Sequence, residues 1–216
     1  MLAVKGIGCR VRIGGSVVWL AVAFLLSLFT EYGREQGGAV VLMLLASGIH
    51  EMGHWFMARL CGIPLTELRL DLLGARLQTG GGMSYKQEWW LCLGGPLFNF
   101  ISILSVVPLW MMARLAGLGT LVDEPISSFV ALSCGLGGLN LLPIETFDGG
   151  RMLYCTLALL SDEDRAGRIC RRVSLCMLCL LWMMSVYVLL RVGRSLSVLV
   201  FSCMLLYRGL MGECST

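Results

Sequence analysis

The chain has 216 residues, of which 57% are hydrophobic and 14% charged, and its mean hydropathy is +0.80. These values exclude an ordinary soluble domain, and the net charge of +3 is too small to indicate nucleic-acid binding. Since a membrane-spanning helix needs roughly 20 apolar residues, we expect a polytopic protein of the lipid bilayer with about six spans and short loops.

The first two apolar runs of the chain are predicted to be spans. Residues 17–29 follow a basic N-terminal stretch, and no convincing small-residue cleavage site follows them, so we expect this run to remain as the first span. A polar loop at residues 31–38 leads to the second span at residues 39–60. That span is predicted to end cleanly, because Gly62 suits a helix C-cap and Pro64 does not continue a helix.

The second span carries the only two histidines of the chain, His50 and His54, together with Glu51. Residues four apart lie on the same face of a helix, so both imidazoles can reach one metal ion. Zinc hydrolases use this arrangement: two histidines and one further ligand hold zinc, and a neighbouring carboxylate takes a proton from water. Ionisable groups at membrane depth are costly, which favours a functional role for all three residues over a chance motif.

A different pattern occupies residues 65–82, where apolar and charged residues alternate with a period of two. Gly74 interrupts the alternation, so this segment is predicted to form a small membrane-associated β-hairpin. The edge of such a hairpin would accept an extended peptide as an added strand. Trp89 and Trp90 are typical of interfacial anchors and begin a third predicted span, which continues to about residue 113.

The third span contains Gly95, Pro96 and Asn99, a combination that has two interpretations. Small residues and a proline are compatible with a kinked helix that packs closely against a neighbour. The carbonyl freed by Pro96 and the buried amide of Asn99 instead favour a helix end that faces a cavity.

A fourth span at residues 126–142 leads into a second candidate segment. Asn140 and Pro143 are followed by Asp148 and two glycines, a pattern that indicates irregular backbone at membrane depth. Such backbone is tolerated where protein or water satisfies its polar groups. The remaining predicted elements are a short helix at residues 151–160, a solvated charged loop at 161–172, a fifth span at 173–190 and a short sixth span at 195–207.

Two histidines need at least one more protein ligand, with an open position for water. Asp148 is the best candidate and Glu145 competes with it, whereas Glu67 and Asp71 fall in the predicted hairpin, where we expect them to be solvated. With the N-terminus inside, most of the 17 lysines and arginines lie in segments on that same side. The positive-inside rule therefore predicts a cytoplasmic N-terminus, and both histidines and Asp148 then lie toward the cytoplasm.

Three motifs in this order resemble the signatures of the site-2 protease family of intramembrane zinc metalloproteases. They are His-Glu-x-x-His at residues 50–54, Gly-Pro-x-x-Asn at residues 95–99, and Asn140-x-x-Pro143 followed by Asp148. The likeness covers about residues 40–160, and it is greatest to the branch that contains stage IV sporulation protein FB.

That resemblance implies an all-α polytopic fold of about six transmembrane helices, with the hairpin between the second and third. It implies one Zn²⁺ per chain, with His50, His54 and Asp148 as ligands and Glu51 as the catalytic base. Four further residues would support the site or engage substrate: Asn140, Gly95, Pro96 and Asn99. The whole chain, residues 1–216, would be one protease domain, with a catalytic core at about 39–160 and additional helices at about 173–208.

The resemblance also implies a multi-pass protein of a bacterial cell membrane that acts on a membrane-associated protein. A membrane-tethered transcription factor precursor is the expected substrate, a sporulation sigma-factor precursor is a specific guess, and inhibitory membrane partners are possible in this family.

Other classes remain open from the residues themselves. A zinc-binding transporter or metal sensor would need the histidines but not Glu51. An unrelated membrane metalloprotease with the same short motif would use a distant glutamate as its third ligand. A structural membrane protein could carry the motif by chance.

Overall fold

A computed structural model of the chain describes residues 3–6, 9–13, 31–63, 65–71, 74–79, 82–192 and 202–206. The predicted first span at residues 17–29 and most of the sixth at 195–207 lie outside the described residues. The chain divides into two compact units, residues 1–138 and residues 139–216.

In the described part of the first unit, four short strands form one sheet, in the order β1–β2–β3–β4. Strands β3 and β4 occupy the segment where the hairpin was predicted and pair in antiparallel fashion. The sheet is larger than predicted, because β2 pairs with β1 in antiparallel and with β3 in parallel fashion. A local alternation pattern does not reveal a pairing between segments so far apart in sequence. The strands are β1 Ala3–Gly6, β2 Cys9–Ile13, β3 Leu65–Asp71 and β4 Gly74–Thr79.

Helix α1, Glu31–Leu60, carries the histidine motif. It begins before the predicted span, so the polar loop predicted at residues 31–38 is wrong; helical hydrogen bonding continues past the apolar part of the run. The end of the helix is as predicted: Gly62 has a φ of 64°, a left-handed conformation that glycine adopts without a Cβ clash. The amide of Ile63 then donates to the carbonyl of Ala58.

Helix α2, Tyr85–Leu115, begins at a capping box. The Ser84 hydroxyl accepts from the amide of Gln87, whose side chain in turn accepts from the amide of Ser84. The Gln87 side chain also donates to the carbonyl of Cys61 over 3.1 Å, which ties the start of α2 to the end of α1. The helix continues through Pro96, so of the two interpretations of this segment the continuous helix is correct and the helix end is wrong. A proline removes only one backbone donor, and packing of the surrounding helix can offset that loss.

Helices α1 and α2 approach each other closely at paired glycines. A Cβ atom at Gly53 would lie 2.2 Å from the carbonyl oxygen of Gly94, and one at Gly94 would lie 2.6 Å from the carbonyl oxygen of Gly53. Small residues at such a crossing allow the two backbones to touch. Toward the end of α1, a buried apolar cluster of Ala58, Ile63 and Leu91 holds the same pair together.

Helix α3, Gly119–Asn140, follows a short turn and begins earlier than the predicted fourth span. Asp123 in its first turns joins it to α2. The Trp110 indole donates to this carboxylate over 2.7 Å and the Arg114 guanidinium over 2.9 Å. Both interactions hold the pKa of Asp123 below its ordinary value, the indole hydrogen bond most strongly.

The second unit contains α4, Asp148–Leu160, and α5, Glu163–Val192; residues 202–206 are also helical. The charged loop predicted at residues 161–172 is wrong, since α5 already begins at Glu163. Acidic residues in a first helical turn, here Glu163 and Asp164, stabilise the positive end of the helix dipole. Ile144, Leu178 and Leu205 form the buried core of this unit.

Three described helices are long and apolar enough to cross a membrane: Gly38–Leu60 within α1, Tyr85–Leu115, and Glu163–Arg191 within α5. Helix α3, which contains most of the fourth predicted span, is not among them. The protein is therefore a helical membrane protein, as predicted, with a sheet that is larger than the predicted hairpin.

Candidate metal centre

The two imidazoles of α1 face the same point. His50 and His54 lie one helical turn apart, and both are buried, with exposed fractions of 6% and 8%. Their Nε2 atoms are 3.1 Å apart. Two nitrogens on one tetrahedral zinc, with bonds of 2.0–2.1 Å, are separated by about 3.3 Å. The pair therefore needs little movement to share one ion.

His54 is oriented by the backbone of α2. Its Nδ1 lies 2.7 Å from the carbonyl oxygen of Leu91. A carbonyl only accepts, so Nδ1 carries the hydrogen, and the lone pair of this neutral ring is on Nε2. Metal-binding histidines commonly have an outer hydrogen bond of this kind, which fixes the tautomer and the direction of the ligand.

Gly95 leaves the space in front of the two imidazoles open. A Cβ atom at this position would stand 2.5 Å from Nε2 of His54 and 2.6 Å from Nε2 of His50. The Cα hydrogen that stands in place of a side chain at Gly95 thus faces the point on which both nitrogens converge. This cradle, which a single methyl group would fill, fits an ion held between the two rings.

Asn99 lies one turn further along α2, on the other side of His50. Its side chain is completely buried, and its Nδ2 atom lies 3.3 Å from Nδ1 of His50. Helix α2 therefore provides a neighbour for each imidazole on the nitrogen that faces away from the convergence point. Pro96 is buried in the same turn and makes no polar contribution of its own.

Glu51 is half-buried on α1, next to His50 in sequence. Glu51 follows His50 directly, so its side chain leaves the helix in a different direction from the two imidazoles. The carboxylate is therefore close to the imidazoles but not on the same face of the helix. This is the relation that a general base beside a metal requires.

The second unit holds the other predicted site residues. Asn140 is the last residue of α3, and Asp148 is the first residue of α4. Asp148 is half-buried, and the start of a helix stabilises a negative side chain. The competing Glu145 is exposed, and its backbone amide donates to the Ser174 hydroxyl over 3.0 Å.

The two glycines after Asp148 allow α4 to begin against the preceding loop. A Cβ atom at Gly149 would lie 2.2 Å from the carbonyl oxygen of Leu141, and one at Gly150 would lie 2.1 Å from that of Ile144. The backbone is irregular at residues 141–147, as predicted, but the prediction is wrong for the two glycines, which already belong to α4 and make a backbone-to-backbone contact. Glu67 and Asp71, the other acidic residues considered, lie on β3.

The structure brings His50, His54, Gly95 and Asn99 together in the first unit. Sequence reasoning did not find the carbonyl of Leu91, because a backbone group has no signature of its own. It predicted that Gly95 supports the site or engages substrate, but not its position in front of the imidazoles. One sequence feature could have indicated this contact: the glycine pair at residues 94–95, on the helix predicted to follow the histidine span, is typical of a close approach between two helices.

No protein-family model matches the chain. Among curated proteins, it is 26% identical over 166 residues to stage IV sporulation protein FB of Bacillus subtilis, an alignment that covers 76% of this chain and 53% of that protein. It is 26% identical over 156 residues to a zinc metalloprotease of Methanocaldococcus jannaschii, covering 68% of this chain and 44% of that protein. The chain thus spans about half the length of these curated relatives.

Among solved structures, the fold is similar to that of a site-2 protease from Methanocaldococcus jannaschii. The TM-score is 0.63 at 16% sequence identity, and the match covers 97% of this chain and 94% of the other. At this identity the likeness concerns the fold alone.

Proposed function

Since the chain belongs to the site-2 protease family, we propose that it is an intramembrane zinc metalloendopeptidase. One observation carries the proposal. Two buried imidazoles on one helical turn direct their Nε2 atoms to a common point, and Gly95 keeps that point open. A merely structural pair of histidines does not require this space.

His50, His54 and Asp148 are the proposed ligands of one zinc ion per chain. The two imidazoles are buried and the carboxylate is half-buried, and these are the side-chain types that hold catalytic zinc. Asp148 is favoured over Glu145 by its burial and by its place at the start of α4. When bound, zinc activates water and polarises a carbonyl oxygen.

Glu51 is proposed to act as the general base. It accepts a proton from the attacking water and then returns that proton to the leaving amine of the cleaved peptide. The carbonyl of Leu91 keeps His54 in the tautomer that can serve as a ligand. Asn140 is proposed to orient the substrate or the developing charge at the site. Gly95 and Pro96 are proposed to shape the floor of the site, which is the supporting role among the two that the resemblance implies.

The substrate is proposed to be a membrane-associated protein, cleaved near the cytoplasmic face. Helical carbonyls are already hydrogen-bonded, so the scissile segment must be extended before attack. Among the strands that the structure describes, the outer strand β4 pairs only with β3, and its other edge suits the addition of an extended peptide. A transcription factor precursor such as a sporulation sigma-factor precursor is the proposed class, under control by inhibitory membrane partners. Six spans with a cytoplasmic N-terminus complete the proposed topology.

The function is tested by co-expression of the chain with candidate membrane-associated precursors, followed by measurement of cleavage and of zinc content. We expect Glu51→Gln to lower cleavage by about 10²–10⁴-fold while it keeps zinc at the wild-type level. The matched control is Glu124→Gln, an exposed position on α3, which should cleave normally. Full cleavage by Glu51→Gln would overturn the mechanism.

The third ligand has its own test. Asp148→Ala should lose most of the bound zinc, whereas Glu145→Ala should retain it. The reverse result would assign the ligand to Glu145. Zinc binding without cleavage of any precursor, unaffected by Glu51→Gln, would instead support the alternative of a metal transporter or sensor.

A further inference from the structure

Asn99 is a buried amide with an unusual hydrogen-bond balance. Its side chain has no exposed surface, and its backbone carbonyl accepts from the Ser102 hydroxyl over 2.7 Å. Its Nδ2 faces His50, while its Oδ1 is buried with no hydrogen-bond partner among the described residues. A buried acceptor without a partner costs about 1–3 kcal/mol, so this orientation of the amide is unfavourable.

The same orientation conflicts with a metal-binding role for His50. If Nδ2 donates to Nδ1 of His50, that nitrogen must hold a lone pair, and the ring hydrogen is then on Nε2. A metal ligand needs its lone pair on Nε2, the atom that faces His54. Turning the amide by half a rotation removes both difficulties, because Oδ1 then accepts from an Nδ1–H. The oxygen and nitrogen of an amide have nearly the same shape, so the turn needs no other movement.

We propose that Asn99 is a positioning residue for zinc, which presents its amide oxygen to Nδ1 of His50 and so selects the tautomer with a free lone pair on Nε2. It does for His50 what the carbonyl of Leu91 does for His54. Helix α2 thereby orients both histidines of α1 from residues two turns apart. This assignment rests on the proposed zinc site, and it gives Asn99 a role in the metal site rather than in substrate binding.

The test uses the purified full chain in detergent and measures its zinc affinity by competition with graded chelator. We expect Asn99→Ala and Asn99→Leu, the latter with the same branched shape but no polar atoms, to bind zinc about 10–100-fold more weakly than wild type. Asn99→Asp supplies only acceptor oxygens when ionised, and it should bind zinc within about threefold of wild type, or more tightly. Ser102→Ala, which removes a neighbouring hydroxyl but no acceptor toward His50, is the matched control and should not change affinity.

Two results would overturn the proposal. One is wild-type zinc affinity in Asn99→Ala and Asn99→Leu, which would mean that the amide does not orient the ligand. The other is an equally low zinc affinity in Asn99→Asp and Asn99→Leu, which would mean that an acceptor oxygen at this position does not orient His50. Thermal unfolding with excess chelator, where no variant holds zinc, measures packing alone and so separates a packing defect from weaker zinc binding. Absence of zinc from the wild-type chain would instead contradict the proposed function.

Discussion

Gly53 of α1 and Gly94 of α2 are in direct backbone contact, with the carbonyl of each facing the Cα hydrogen of the other. This contact sets the distance at which α2 passes the histidine motif. The positions of Leu91, Gly95 and Asn99 relative to the imidazoles all depend on it. The glycine pair therefore determines both the packing of the helices and the geometry of the candidate metal centre.

Gly53→Ala should destabilise the protein, because the new methyl group would lie 2.2 Å from a backbone oxygen that has no freedom to turn aside. Overpacking of this kind costs about 1–3 kcal/mol or more. The measurement is thermal unfolding in detergent, with Gly48→Ala as control, since a Cβ there meets no atom within 4 Å. Equal melting temperatures for the two variants would contradict the close contact.

Gly95→Ala should act differently from Gly53→Ala, because its methyl group meets imidazole side chains rather than backbone. The rings can turn away, so the helices should remain packed while the metal centre is lost. We expect zinc content to fall below about one-tenth of wild type, with helical circular dichroism unchanged. Gly135→Ala, another helical position with open space, is the control. Normal zinc content in Gly95→Ala would show that the ion does not lie where the Nε2 atoms converge.

The proposed centre predicts that zinc stabilises the folded chain, since a ligand that binds the assembled site and not the unfolded chain raises stability. At a free concentration 100 times the dissociation constant, the gain is about 2.7 kcal/mol, which raises the melting temperature of a chain of this size by about 5–10 °C. Chelator should reverse the shift in wild type. His54→Ala should show neither the shift nor its reversal, and a shift of the same size in that variant would place the ion elsewhere.

The pH dependence of stability should include a contribution from Asp123. The Trp110 indole and the Arg114 guanidinium keep the pKa of this carboxyl below its ordinary value of 3.8 in the folded protein. A lowered folded pKa stabilises the protein above pH 3.8, and that contribution is lost as the pH falls through the folded pKa. Asp123→Asn should therefore melt below wild type at pH 7, with a difference that shrinks below about pH 4. A difference in melting temperature that does not change with pH would show that the substitution acts through side-chain shape rather than through the charge of Asp123.

Local sequence patterns predicted much of the helical structure and the central part of the site. The four-residue spacing of His50 and His54 is a property of any helix, and the stop at Gly62 follows from its conformational freedom. The contacts of Gly95 and Asn99 were not predictable, because they depend on how two helices cross. Residues 31–38 and 161–172 were predicted to be loops because they are polar. Each of these segments contains the polar end of a helix, where backbone hydrogen bonding continues beyond the apolar residues.

The parallel pairing of β2 with β3 has a consequence for how often the chain crosses the membrane between these two strands. An open sheet is not tolerated in hydrocarbon, so these two strands, joined by hydrogen bonds, share one aqueous compartment. In the proposed topology, the connection at residues 14–64 leaves that compartment and comes back to it, which requires an even number of membrane traversals. In that topology helix α1 makes one of these traversals, and the apolar run at residues 17–29, predicted from the sequence as the first span, is proposed to make the other.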